Sequence, residues 1–319
     1  MGFSHSPIRQ HLDWLECPIC HADIETQDAG SVYCAHQHCF DLSKKGYLNL
    51  LNTASKDQYS KALFRSRRIV CESGFFEPLL DVMVDWLCVH ALKADHHILD
   101  AGCGEGSHLA SIQRRLTARN RMGGIYAGFD ISKNGIQAAA AGFPDILWFV
   151  ADVTRMPFHA QKFDVILNIL SPSHYEEFNR CLIDDGVLIK VIPSANYLKE
   201  LRTLFFKGTK NQTYSNEETV RRFYERFQLI EMLPVEYEFE MNVQALSEFI
   251  QMTPLTWHIP EEKQSIHANS AIFTDSEILR DSGILANAEI FTAVENRTEQ
   301  AVFKLTAAFT VLIGRQTVS

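Results

Sequence analysis

Residues Ile98 to Gly106 read ILDAGCGEG, an apolar strand end running straight into alternate glycines. Ile98 and Leu99 close a buried strand, Asp100 stands at its tip, and Gly102, Gly104 and Gly106 let the main chain turn tightly before a helix that starts near Ser107. Such a turn makes room for a nucleoside-like ligand against the backbone. Working outward, the pattern alternates between strand and helix from about 94 to 193. HHILDAG, GIYAGFD, ILWFVAD, FDVILNIL and GVLIKVIP are short apolar runs, with helices expected near 107 to 119 and over ISKNGIQAAAAGF. This is the rhythm of an α/β, doubly wound parallel sheet, which binds its ligand outside the carboxyl ends of the strands.

The ligand class follows from what stands at those ends. A dinucleotide fingerprint needs a glycine where Ser107 stands and an acid about 20 residues further on. Here the glycines instead read GxGxG behind Asp100, and Asp130 and Asp152 end the next two strands. Three strand-end acids around a GxGxG turn fit S-adenosylmethionine: Asp130 is suited to two ribose hydroxyls, and Asp100, Gly102, Gly104, Gly106 and Asp152 complete the set. The competing role for Asp130 and Asp152 is helix capping.

Composition sets the bounds. A chain of 319 residues that is 46% hydrophobic can bury an α/β core with small appendages. There is no apolar run of about 18 residues and no secretory signal order, so a soluble cytoplasmic protein is expected. The net charge of -9 argues weakly against nucleic acid, but residues 41 to 70 carry seven Lys or Arg against two Asp. That local excess fits contact with phosphate.

The cysteines are not arranged as disulfide partners. Cys17, Cys20, Cys34 and His38 have the spacing C-x2-C-x13-C-x3-H, which predicts one structural zinc in a segment too small for a core of its own. His36 and Cys39 are close enough to compete as ligands. Cys71, Cys88, Cys103 and Cys181 lie in apolar or strand-end surroundings and read as core residues.

Several motifs in a fixed order then resemble one family: CPIC with CAHQHCFDLSKKGYLNLL, DQYSKALFRSRRIVCESGFFEPL, ILDAGCGEG, NILSPSHYEEFNRCL, VIPSANYLKELR and QMTPLTW. Over nearly its whole length the chain is similar to the zinc-containing 23S rRNA (guanine-N1)-methyltransferases (RlmA-like). The resemblance implies a class I (Rossmann-like) S-adenosylmethionine-dependent methyltransferase sheet with a small N-terminal zinc-binding module. It also implies a hairpin of 23S rRNA as substrate, guanine N1 as the methylated atom, and a homodimer. By motif, Cys17, Cys20, Cys34 and His38 match the family's zinc ligands, and Asp100, Gly102, Asp130 and Asp152 match its cofactor positions. Cys39 stands where members vary. His174 stands where an amide is often found in a SPxNYEEF form of the fourth motif.

The expected organisation is a zinc-binding RNA-recognition module over 1–50, a partly basic linker with helices over 51–93, and a methyltransferase domain over 94–319. A cover or insert is expected at about 241–300, and AVFKLTAAFTVLIG is expected to close the sheet antiparallel. Lys44, Lys45, Lys61, Arg65, Arg67 and Arg68 are the expected phosphate contacts, with a solvated helix face as the alternative. Asn168, His174 and Tyr175 follow the fourth strand and are the candidate catalytic residues: an amide for the base edge or the methionine amino group, with a turn or helix N-cap role as its alternative, a polar group, and a ring to stack on the base. Met252, Thr253, Pro254 and Trp257 form a ridge that fits either an unpaired guanine or ordinary packing. Guanine N1 must lose its proton, and Glu176, Glu177, His174 and water are the possible acceptors. Two other readings remain: a small-molecule methyltransferase, which would act without RNA, and a non-catalytic zinc-bearing RNA-binding protein, which would not bind the cofactor.

Overall fold

The computed structural model describes residues 7–26, 30–51, 59–257 and 302–317. The N-terminal segment forms a 3-10 turn over Pro7–Trp14 and four short strands, β1 (Ile24–Thr26), β2 (Ser31–Cys34), β3 (Cys39–Leu42) and β4 (Tyr47–Asn49). Two helices follow, α1 (Lys61–Glu72) and α2 (Glu77–His90). The α/β repeat then runs β5 (His97–Ala101), α3 (Ser107–Ala118), β6 (Ile125–Asp130), α4 (Lys133–Gly142), β7 (Leu147–Val150), β8 (Phe163–Ile169), α5 (Tyr175–Cys181) and β9 (Leu182–Pro193). After these come α6 (Lys199–Phe206), α7 (Glu217–Tyr224), β10 (Phe227–Asn242), α8 (Val243–Met252) and β11 (Val302–Gln316).

Local chemistry fixes the helix starts. Ser60 and Ser132 cap α1 and α4, accepting from the Leu63 and Gly135 amides. Gly106 opens α3 at φ 85°, and a Cβ there would meet the Trp148 ring at 2.6 Å. Only glycine tolerates both the left-handed backbone and that contact.

All eleven strands share one sheet, in the order β1-β2-β3-β4-β7-β6-β5-β8-β9-β11-β10. The centre from β4 to β9 is parallel, while β11 runs antiparallel to both β9 and β10. The expected antiparallel strand is therefore present, but β10 and not β11 forms the edge. Of the expected cover at 241–300, α8 and a turn at Pro254–Thr256 are seen, and 258–301 lie outside the described residues.

The N-terminal segment is not a separate bead. β4 pairs in parallel with β7, joining Tyr47 to Trp148 and Asn49 to Val150. Leu15 bridges to Phe158, and Trp14, Leu15, Phe40 and Leu48 share one apolar cluster with Phe129, Phe149, Phe158 and Phe163 from the central sheet. Arg180 of α5 ties the two together, reaching Glu16 at 3.1 Å, Glu177 at 2.8 Å and the Met156 carbonyl at 2.8 Å. A short segment gains its core by borrowing the sheet's second face. The other face is covered by α1 to α4, with Leu79, Met83, Leu109, Ile112 and Ile136 fully buried.

Phe158 is fully buried and makes edge contacts with Phe149 and Phe163 at 5.3 and 5.0 Å. Phe158→Ala is expected to cost about 3–5 kcal/mol and to lower a single cooperative unfolding transition. Calorimetry that resolved a separate early transition for residues 7–51 would show that the segment folds independently of the sheet.

Candidate active site and metal centre

Two backbone knuckles bring the metal ligands together. The Cys17 amide donates to Ala22 O at 2.8 Å and the Cys34 amide to His38 O at 3.1 Å, with His21 and Gln37 turning at positive φ. The ligand atoms of Cys17, Cys20, Cys34 and His38 all lie within 4.8 Å of one another. His38 Nδ1 is 3.5 Å from Cys17 Sγ and 3.3 Å from Cys34 Sγ, and Cys20 Sγ is 3.6 Å from Cys34 Sγ. These are close to the edges of a tetrahedron with metal–ligand bonds of about 2.0–2.3 Å. Four donors close the site, as a structural zinc requires. Cys39 is exposed on β3 and falls outside the cluster. His36 Nδ1 sits 3.2 Å from Cys20 Sγ, as a hydrogen-bond partner of a ligand sulfur.

The second site is a cavity of about 770 Å³ at the carboxyl ends of the parallel strands. Gly102, at φ 81°, forms part of its floor, and a Cβ there would lie 1.8 Å from Ser171 Oγ. Asp130 binds the Gly104 amide at 2.9 Å with one oxygen and the Ser132 amide at 2.8 Å with the other. Asp152 accepts from the Thr154 amide and hydroxyl through Oδ1. Both acids cap backbone and also line the cavity, so capping does not take them out of the cavity wall.

Asp100 lies beneath the glycine turn, 1% exposed, with no hydrogen bond to either oxygen. Burial pushes its carboxyl up to about 7, partly offset by Arg67. Arg67 lines the cavity; burial works against its charge, but Cys71, Glu105, Asp130 and Asp100 together hold its pKa above the ordinary value. An orphaned carboxylate and a guanidinium beside one turn fit the ammonium and carboxylate of an amino acid. The methionine part of S-adenosylmethionine carries both: Arg67 lines the cavity and would hold the carboxylate, Asp100 lies behind the glycine turn outside the lining and would attract the ammonium from there, and Asp130 and Asp152 would lie toward the ribose. Gly106 lines no part of the cavity; its work is to start α3 above Trp148.

Other expected residues are placed differently. Arg67 is not a phosphate contact on an outer face but a wall of the cavity. Arg68 is also turned inward: it pairs with Glu105 at 3.2 Å, binds the Glu105 and Ala138 carbonyls and covers the Phe143 ring. Lys44, Lys45, Lys61 and Arg65 are exposed. Asn168 is fully buried, with Nδ2 donating to Ala101 O and Pro172 O at 2.9 Å each and Oδ1 accepting from Ser173 and Lys190. Its amide is committed to holding the loop and has nothing left for a base. His174 caps α5 by accepting from the Glu177 amide, and Tyr175 packs among Phe178, Phe223 and Phe227. Neither lines the cavity. Glu176 pairs with Arg226 and Glu177 with Arg180, also away from it. Ser171, Pro172 and Lys190 line that wall instead. Lys190 was missed, although a single lysine in the apolar run GVLIKVIP was its signal. Met252, Thr253, Pro254, Leu255 and Trp257 line the opposite side, with Tyr59 5.5 Å from Trp257.

A doubly wound sheet with a GxGxG turn, strand-end acids and a fused metal knuckle defines a class I S-adenosylmethionine-dependent methyltransferase with a structural zinc site. The family profile described as RlmA, N-terminal, a zinc ribbon, matches residues 15–58, and that of a methyltransferase domain matches 98–184. A Bacillus subtilis (strain 168) protein described as "Putative 23S rRNA (guanine-N(1)-)-methyltransferase YxjB" is 41% identical over 79% of this chain and 90% of its own. The "23S rRNA (guanine(748)-N(1))-methyltransferase" of Streptomyces fradiae is 25% identical over 77% of this chain and 86% of its own. The chain belongs to the 23S rRNA (guanine-N1)-methyltransferase family.

The buried Asp100 is expected to make cofactor binding pH-dependent. Its carboxyl is raised in the free protein, so a proton must leave before it meets the cofactor's ammonium. Affinity for S-adenosylhomocysteine is expected to rise about tenfold per pH unit below 7 and to level off above it, with up to one proton released. Calorimetry in two buffers of different ionisation enthalpy measures this. In Asp100→Asn the slope should vanish and affinity should fall about 10- to 100-fold.

Proposed function

We propose that this chain methylates N1 of a guanine in a hairpin of 23S rRNA, using S-adenosylmethionine. The observation that carries the reading is the 41% identity, over 79% of this chain and 90% of the other, to a relative of that description. S-adenosylmethionine supplies an electrophilic methyl group. The protein then has three tasks: to hold the donor, to take the base out of pairing, and to align nitrogen, carbon and sulfur. Asp100 and Arg67 hold the methionine end. The ridge from Met252 to Trp257, with Tyr59, offers apolar and aromatic surface for an unstacked guanine. Glu176 and Glu177 are engaged elsewhere and His174 caps a helix, so the N1 proton passes to water.

The RNA is gripped from the cavity rim. α1 turns Leu63, Phe64 and Arg67 into the cavity and leaves Lys61 and Arg65 exposed one helical turn apart. Lys44 and Lys45 lie at the β3–β4 turn, where Lys45 reaches Gln137 of α4 at 3.5 Å. These four are the phosphate contacts of the proposal, and the zinc fixes the turn that carries two of them. The same reading includes the homodimer implied by family resemblance and residence in the cytoplasm. No helix of the described residues is long and apolar enough to cross a membrane.

Primer extension tests the reaction, because a methyl on N1 blocks Watson–Crick pairing. Large-subunit rRNA incubated with the protein and S-adenosylmethionine should give one new stop at a hairpin guanine, and none without the cofactor. Methyl transfer to small molecules alone, with no stop on RNA, would refute the assignment. For the grip, Lys61→Ala with Arg65→Ala should weaken hairpin binding and lower the log–log salt slope by about 1.5. S-adenosylhomocysteine affinity should stay unchanged; an unaltered salt slope would remove these residues from the interface.

A further inference from the structure

Lys190 lies in the cavity wall where neither the zinc centre nor the groups assigned to the cofactor make use of it. It is 3% exposed in β9, opposite Asn168 of β8 and Leu312 of β11. Nζ reaches Asn168 Oδ1 at 2.7 Å, Ser173 Oγ at 2.6 Å and Ser171 O at 3.3 Å. The direction of every bond in this network follows from the donors present. Asn168 gives both amide hydrogens to the Ala101 and Pro172 carbonyls, and Ser173 gives its hydroxyl hydrogen to Asn168 Oδ1 at 2.9 Å. Lys190 must therefore donate all three hydrogens of an ammonium. No base function is open to it, since no lone pair is left.

This ammonium has no carboxylate within ion-pairing distance among the described residues. The groups packed against it are neutral: Asn168 from β8, Leu312 from β11, and Ser171 and Ser173 from the loop, with Tyr175 beyond Ser173. Tyr59, Arg67, Arg202, Asp130, Asp152, Tyr197 and Tyr214 are the titratable groups on the rest of the wall, and none of them shifts it. Burial alone lowers it to about 8. A buried cation without a counter-ion is costly unless an anion arrives. Its longest bond, to Ser171 O, is the one an incoming acceptor would replace.

We propose that the Lys190 ammonium donates a hydrogen bond to O6 of the target guanine and stabilises the negative charge that spreads from N1 to O6 as the N1 proton departs. The inference rests on the guanine-N1 reading above. The N1–H bond breaks, its proton passes to water, and its electron pair remains on N1, delocalised to O6. That pair forms the N1–methyl bond as the methyl–sulfur bond breaks and leaves its electrons on sulfur. Lys190 keeps its proton throughout and acts as a preorganised donor at the point where charge develops.

The test uses the full-length, zinc-loaded protein, a 23S hairpin transcript and single-turnover methyl transfer across pH. Lys190→Met should keep S-adenosylhomocysteine affinity and hairpin KM within about twofold and lose about 10²- to 10³-fold in kcat near neutrality. The deficit should narrow as pH rises, because hydroxide then removes the N1 proton unaided. Lys190→Arg should restore most of the rate. A second measurement needs no variant: in a hairpin ¹⁵N-labelled at that guanine N1, bound with S-adenosylhomocysteine, N1 should titrate at least about one unit below its free value. A Met variant with full kcat, with a deficit that does not change with pH, or with a loss confined to KM, overturns the Lys190 role, as does an unshifted ¹⁵N titration. If the wild type leaves N1 unmethylated, both this inference and the functional reading fall.

Discussion

The close approach of Gly102 to the loop after β8 is the constraint on which the cavity depends. The main chain leaves β5 at positive φ and passes so near Ser171 that no side chain fits between them. That contact sets how far the glycine turn stands from the wall carrying Pro172 and Lys190, and so the width of the space between donor and acceptor. Asn168 holds the loop from behind, bridging Ala101 at the end of β5 to Pro172. A residue expected to touch substrate acts instead on the geometry that admits it.

The charges around this cavity are individually unfavourable in the empty protein. Among the described residues, Asp100 is buried without a hydrogen bond and Lys190 without a carboxylate partner. Burial shifts each toward its neutral form, the acid upward and the ammonium downward. Stability alone would favour apolar residues at both places. Their presence is explained if the ligands complete them: an ammonium for Asp100 and a developing anion for Lys190.

Much of this was legible in the sequence because it depends on short-range pattern. Five of the six parallel strands, β5 to β9, the helices after 107 and 132, the glycine turn and the zinc spacing all follow from periodicity and ligand chemistry. What stayed hidden depends on partners far away in the chain. Arg67 and Arg68 looked like their neighbour Arg65 until α1 docked on α4 and the glycine turn, with Arg68 3.2 Å from Glu105. Asn168 is occupied by one distant carbonyl, Ala101 O, and by one four residues on, Pro172 O; only the second belongs to its own turn and agrees with the turn role that the sequence allowed. His174 and Tyr175 follow the right strand, but α5 turns both outside the cavity wall. Lys190 could have been found: a charge inside a doubly buried strand requires a reason.

The metal knuckle, expected as a module over 1–50, is joined to the sheet by strand pairing and by an ion pair. Its strands continue the central sheet, and its Glu16 is anchored by Arg180. Arg180 also holds Glu177, which in turn binds the Met156 amide at 2.7 Å and lies on α5, directly after the loop that walls the cavity. Zinc therefore orders more than a local loop. By fixing Cys17 it fixes Glu16, and through Arg180 it restrains the helix that ends the 168–175 loop. A module that serves only to carry basic residues would need no such contact. Here the segment that bears the metal is built into the sheet through β4 and β7, so the exposed Lys44 and Lys45 are held on the same framework as the cavity.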